Sequence, residues 1–225
     1  MGEAIGAVLP LGVGVALSPL PIVAVVLMLG STRGRANGGA FLLGWLLGLA
    51  VVGTIALLAA AALDPADDGV PADWVSWLKL VLGVLALLVA VRTWRARPTG
   101  DADPELPSWM AAIDSWTAGK AFGFGAALSA LNPKNLMLTL AAGAAIAQTG
   151  VDGGEQTVAL AVFVVIGGLG PGLPVAVSAV MGDRAARWLA ELNTWLARHN
   201  AAVLTVVLLV IGAKLIGDGI AGLSA

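Results

Sequence analysis

The sequence predicts an all-α integral membrane protein with six transmembrane helices. They form two inverted three-helix repeats, with broken helices in spans 1, 4 and 5. Three observations predict this. The chain has 225 residues, of which 59 % are hydrophobic and 12 % charged, with a mean hydropathy of +0.93; a soluble domain carries about 25 % charged residues. Six apolar segments, at about 4–29, 38–63, 74–93, 119–147, 156–181 and 201–217, each lie near the ~20 residues a helix needs to cross a bilayer. The basic residues alternate between successive connections.

The connections 31–37, 93–118 and 182–200, with the helix ends beside them, hold Arg33, Arg35, Arg92, Arg95, Arg97, Lys120, Arg184, Arg187 and Arg198. The connections 64–73 and 148–155 have no Lys or Arg and carry Asp64, Asp67, Asp68, Asp73, Asp152 and Glu155. By the positive-inside rule the odd connections face the cytoplasm and both termini lie outside. Glu3 stands where a signal peptide would have a basic region, so no cleavable leader is expected.

The first span holds Gly12, Gly14, Ala16, Leu17 and Ser18, followed by Pro19 and Pro21. The same Gly-x-Gly-x-Ala-Leu-Ser pattern returns in the fourth span as Gly123, Gly125, Ala127, Leu128 and Ser129, at a constant offset of 111, ahead of Pro133. Proline removes a helix hydrogen bond and frees the carbonyl four residues back, so both spans are expected to break. Three spans per repeat is an odd number, so the repeats run in opposite directions, as in many secondary transporters. Residues 1–93 form the first repeat, 94–118 a cytoplasmic linker with a short amphipathic helix, and 119–225 the second repeat.

Gly44, Gly48 and Gly53 in the second span are small residues that let helices approach closely. Trp74 and Trp77 read as an outer aromatic belt and Trp94 as part of the inner one. Before the fourth span Trp109, Ile113 and Trp116 share a helical face, as do Trp188, Leu189, Leu192, Trp195 and Leu196 before the sixth. Both stretches are expected to lie in the inner headgroup zone. In the fifth span Gly167 and Gly168 precede Gly170, Pro171, Gly172 and Pro174. These last four are expected to break the helix and are hinge candidates, with tight packing as the structural alternative.

Lys134, between Pro133 and Asn135, is the main functional signal. It lies 14 residues beyond Lys120, which at 1.5 Å per residue is ~21 Å into the membrane. A lysine at that depth costs roughly 2.5–3.5 kcal/mol on insertion scales, so it normally faces a cavity or a partner. The expected substrate-binding set is Lys134, Asn132, Pro133 and Ser129 from the fourth span, with Ser18, Pro19 and Pro21 from the first. Lys79 and Lys214 either extend a cationic path outward or snorkel to the outer headgroups.

Other chemistry has little footing. Cysteine is absent and His199 is the one histidine, so no metal site or cofactor is expected. No phosphate-binding loop, paired acids or Ser-His-Asp set is present, and no basic patch points to nucleic acid. The chain is therefore not expected to be an enzyme. No carboxylate lies well inside a drawn segment, which leaves energy coupling unassigned.

The pattern resembles the lysine-exporter (LysE) superfamily, through the Pro-rich first span and Asn132-Pro133-Lys134 in the fourth. Leu78-Lys79-Leu80-Val81-Leu82-Gly83 and the ending Val210-Ile-Gly-Ala-Lys-Leu-Ile-Gly-Asp-Gly-Ile220 are similar to its GAP branch, named for addressing peptidoglycolipids and including sulfolipid-addressing proteins. The resemblance implies translocation of an envelope component in the bacterial cytoplasmic membrane. A lone buried cation favours an anionic lipid or glycolipid as substrate, among surrounding membrane lipids. The alternatives are export of a small solute such as an amino acid, or a non-transporting partner subunit of an envelope-assembly complex. Gly-rich faces are compatible with a homodimer.

Overall fold

Proline and glycine decide where these helices stop and where they touch. The computed structural model describes residues 1–63, 73–95, 113–181 and 185–224. Among them all regular structure is helical: α1 (Gly2–Ala16), α2 (Pro19–Leu29), α3 (Gly34–Leu63), α4 (Asp73–Arg95), a 3-10 turn (Ile113–Ser115), α5 (Ala118–Leu131), α6 (Pro133–Ala147), α7 (Gly153–Met181) and α8 (Ala185–Leu223). By length and composition α3, α4 and α7 are able to cross a membrane; α1 and α2, bent by 53°, make a fourth such unit if they count as one span.

The first interruption follows from Ser18-Pro19. The residue before a proline is driven out of the helical region, and Ser18 is extended at φ −81, ψ 111. Pro19 lacks the N–H that would meet the carbonyl of Val15; the Ser18 N–H takes that carbonyl instead at 3.1 Å. Pro19 then opens α2, a position where its missing N–H costs nothing. Asn132-Pro133 acts in the same way. Asn132 is extended at φ −66, ψ 120, its side chain accepts from the Lys134 N–H, and Pro133 starts α6.

Side-by-side contacts give the helix directions. Gly12 of α1 lies against Phe163 and Ile166 of α7, Val15 against Gly167, and Ala16 against Gly170, so the two run parallel. Gly44 and Gly48 of α3 face Phe122, Ala126 and Ser129 of α5 in rising order, again parallel. On α4 and α8 the order reverses: Ser76 meets Gly219, Gly83 meets Gly212, and Thr205 Oγ1 donates to the Ala90 carbonyl. That pair is antiparallel. Phe41, Trp45, Leu49, Phe163 and Ile146 are among the buried side chains at the centre.

Two sequence expectations need correction. The fifth span was expected to break at Gly170–Pro174, but α7 runs uninterrupted from Gly153 to Met181 with Pro171 and Pro174 inside it. Pro171 leaves the Gly167 carbonyl without its helix donor, and the Trp45 indole N–H of α3 donates to that oxygen at 3.1 Å. A donor from another helix thus replaces the lost bond. Before the fourth span, Ile113 is 2 % exposed and packs in the core. Trp116 meets Phe124 edge-on at 5.0 Å, and its carbonyl accepts from Asn37 Nδ2. These two residues pack against the helical core; Trp109 lies outside the described residues. Finally, 185–200 is not a separate surface helix, because α8 continues through it into the last apolar segment.

The Gly44 contact yields a signed prediction. A Cβ there would lie 2.0 Å from the Phe122 carbonyl oxygen, whereas a Cβ at Gly39 in the same helix meets nothing within 4 Å. Gly44→Ala is expected to destabilise by about 1–3 kcal/mol, as overpacking does. Gly39→Ala should stabilise by up to ~1 kcal/mol through helix propensity. Thermal unfolding of the two variants in detergent checks the opposite signs.

Candidate functional site

The two interruptions meet. Ser18 caps α2, and Lys134 and Asn135 sit in the first turn of α6. Lys134 Nζ donates to Ser18 Oγ at 2.8 Å. The Ser18 hydroxyl in turn donates to Asn135 Oδ1 at 3.0 Å. The break in the α5–α6 pair follows 14 residues of helix and precedes 15, so the junction falls near the middle of that pair.

Ser18 is 3 % exposed and Asn135 fully buried. A buried polar group left without a partner costs about 1–3 kcal/mol, and this network leaves few such groups. Asn135 Nδ2 reaches the Leu128 carbonyl of α5 at 3.5 Å, and Thr139 Oγ1 donates to the Asn135 carbonyl at 2.7 Å. Asn132 Oδ1 accepts from the Lys134 backbone N–H at 3.1 Å. Two helix N-termini, each bearing partial positive charge, therefore meet beside an ammonium group. No carboxylate is among the hydrogen-bond partners of these residues in the described structure. Chemically, the arrangement suits an anion.

The other expected residues divide clearly. Pro19 and Pro21 are buried in the first turn of α2, and Pro133 is exposed at the start of α6. Ser129 matched Ser18 by the offset of 111, yet the caps are Ser18 and Asn132, three residues further apart. That shift is almost a full helical turn. Ser129 Oγ consequently donates within its own helix to the Ala126 carbonyl at 3.0 Å and packs against Gly48. Lys79 Nζ donates to Gln148 Oε1 at the C-cap of α6. Lys214 Nζ pairs with Asp218 at 2.6 Å along α8. Each lysine has a local partner. Gly170 lies where α7 passes the end of α1, a Cβ there falling 2.2 Å from the Ala16 carbonyl. Pro171 and Pro174 are buried and Gly172 half-buried in the same helix.

Two residues escaped the sequence reading. Asp218 lies one position past the drawn end of the last segment, inside a helix that reaches Leu223. Asn135 adjoins Lys134 and carried its own signal: a second amide within a short stretch of an otherwise apolar segment. Replacing it with leucine removes the acceptor of the buried Ser18 hydroxyl. Asn135→Leu is expected to cost about 1–3 kcal/mol. In a Ser18→Ala background the same change should cost clearly less, because the two groups act as a pair. Unfolding midpoints of the four proteins in this cycle measure the difference.

No curated protein and no solved structure matches the chain. Residues 8–221 match one family, described as Sap, sulfolipid-1-addressing protein, in agreement with the resemblance drawn from the third and last spans. With nearly its whole length covered by that match and its apolar helices meeting at an ammonium group, the chain belongs to the sulfolipid-1-addressing protein family.

Proposed function

We propose that the chain is a secondary transporter or flippase that moves an anionic lipid or glycolipid of the envelope across the cytoplasmic membrane. The single observation behind this reading is the Lys134–Ser18 hydrogen bond, which joins the two helix interruptions. A charge held inside an apolar bundle is expensive, and such residues commonly mark a substrate path. Family membership supports a role in exporting or addressing envelope lipids. The chain acts as a carrier: its residues bind and release the headgroup without making or breaking bonds.

Six spans in two inverted triplets form the frame of this proposal, with the termini outside. The α1–α2 and α5–α6 pairs are the broken first and fourth spans, and α8 supplies the sixth. Alternate crossing makes spans 1 and 5 parallel, 2 and 4 parallel, and 3 and 6 antiparallel. The contacts of α1 with α7, α3 with α5, and α4 with α8 fit that rule. Exchanging the two triplets turns the first pairing into the second and returns the third to itself. The Ser18-Pro19 and Asn132-Pro133 caps are equivalent under the same exchange.

In this mechanism the ammonium group and the two helix N-termini replace the water lost by an anionic headgroup. Ser18 holds Lys134 in place until the headgroup takes over as acceptor. Gly170 to Pro174 lie where α7 crosses the α1 terminus, a position at which bending would change access to the junction. Hydrogen bonds to charged groups contribute about 1.5–3 kcal/mol. Lys134→Ala is therefore expected to slow translocation of a fluorescent anionic phospholipid in proteoliposomes at least about tenfold, with unchanged helicity and insertion. Lys134→Arg should recover part of the rate, since it restores charge but not shape. Full transport by Lys134→Ala would overturn the assignment; accumulation of a cytosolic amino acid in cells lacking the chain would point to small-solute export.

A further inference from the structure

The halves of the broken helices that follow each interruption are almost wholly enclosed. Along α2 and α6 every residue is buried or half-buried except Pro133. The residues just before the two caps are exposed. Leu131, just before the Asn132 cap, is 74 % exposed, and Leu17, just before the Ser18 cap, is 41 % exposed. Lys134 and Asn132 are half-buried beside them. Exposed leucines therefore precede both caps, and half-buried Lys134 follows Leu131 by three residues.

We infer that the surface around these breaks is a lateral window in which an anionic lipid docks, its headgroup on Lys134 and its acyl chains outside against Leu131, Pro133 and Leu17. The inference rests on the headgroup reading above and adds the route by which the headgroup reaches Lys134. Charge selects the occupant. Exposed leucine accepts any acyl chain, but the ammonium group lies within reach of the headgroup and no acid accompanies it among its hydrogen-bond partners. The polar groups that face Lys134 from the other interruption are the Ser18 hydroxyl and the α2 N-terminus, and both tolerate an anion. A water-soluble solute has no use for a greasy rim; a lipid needs one, because its chains stay in the bilayer while only the headgroup enters.

The chain has no cysteine, which makes a clean test available. A bimane fluorophore on Leu131→Cys is reconstituted into phosphatidylcholine vesicles containing, in parallel samples, nitroxide-labelled phosphatidylglycerol or nitroxide-labelled phosphatidylcholine. Quenching by the anionic lipid is expected to exceed that by the neutral lipid about fivefold, the enrichment one basic residue provides. Lys134→Ala should make the two equal. Ile55→Cys, at a site 61 % exposed within α3, should show equal quenching throughout. Leu17→Cys serves as a second reporter if the first variant fails to assemble.

Equal quenching by the two lipids with Lys134 intact overturns the window, since the leucines would then contact only bulk bilayer. Absence of quenching also overturns it, and cross-linking between two copies would identify the cover. Binding of phosphatidylglycerol to the detergent-solubilised protein separates the two layers. If Lys134-dependent binding persists without anionic quenching, the window falls and the headgroup site stands. If binding ignores Lys134→Ala, the headgroup reading falls first.

Discussion

A lysine side chain cannot sit cheaply in an apolar bundle, and the fold accommodates this one by bringing two interrupted helices together around it. The ammonium group needs an acceptor, and Ser18 provides it from the other half of the chain. The serine is available because Pro19 forces it out of the helix and turns it into a cap. Asn135 then engages the hydroxyl proton, leaving the oxygen lone pairs for Lys134. Each step follows from the one before: a missing N–H creates a break, the break exposes a cap, and the cap satisfies a charge.

Backbone proximity allows the two halves to reach each other. Gly44 and Gly48 admit the backbone of α5, and Gly170 admits the end of α1. Without side chains at these positions, neighbouring helices approach more closely than leucine would permit. The exchange is reciprocal. One half contributes the long helix α3 to the other half's broken pair, and receives α7 beside its own. Close approach joins α3 to α5 and α7 to α1, while charge satisfaction joins α6 to the cap of α2.

Much of this was legible before the structure because the informative residues contrast with their background. Proline and lysine stand out in an apolar segment, and local sterics make the effect of Ser18-Pro19 and Asn132-Pro133 readable. The all-helical class followed from composition. What stayed hidden depended on partners distant in sequence. Pro171 has the same local effect as Pro19, yet α7 stays continuous because Trp45, more than a hundred residues away, supplies the missing donor. Ile113 and Trp116 have a helical spacing suited to an amphipathic helix, but their core neighbours, Phe124 against Trp116 among them, are distant enough in sequence to be hidden from that pattern. The offset of 111 matched two serines whose positions differ by nearly a turn, because sequence likeness does not mark where a helix ends.

The interleaving of α1 with α7 and of α3 with α5 has a consequence for how the chain comes to be folded. A chain is made from its N-terminus, so Gly44, Gly48 and Ser18 are present before the α5 backbone and the Lys134 ammonium group that meet them in the finished structure. Among the described residues, each half of the sequence is therefore held in place by contacts with the other.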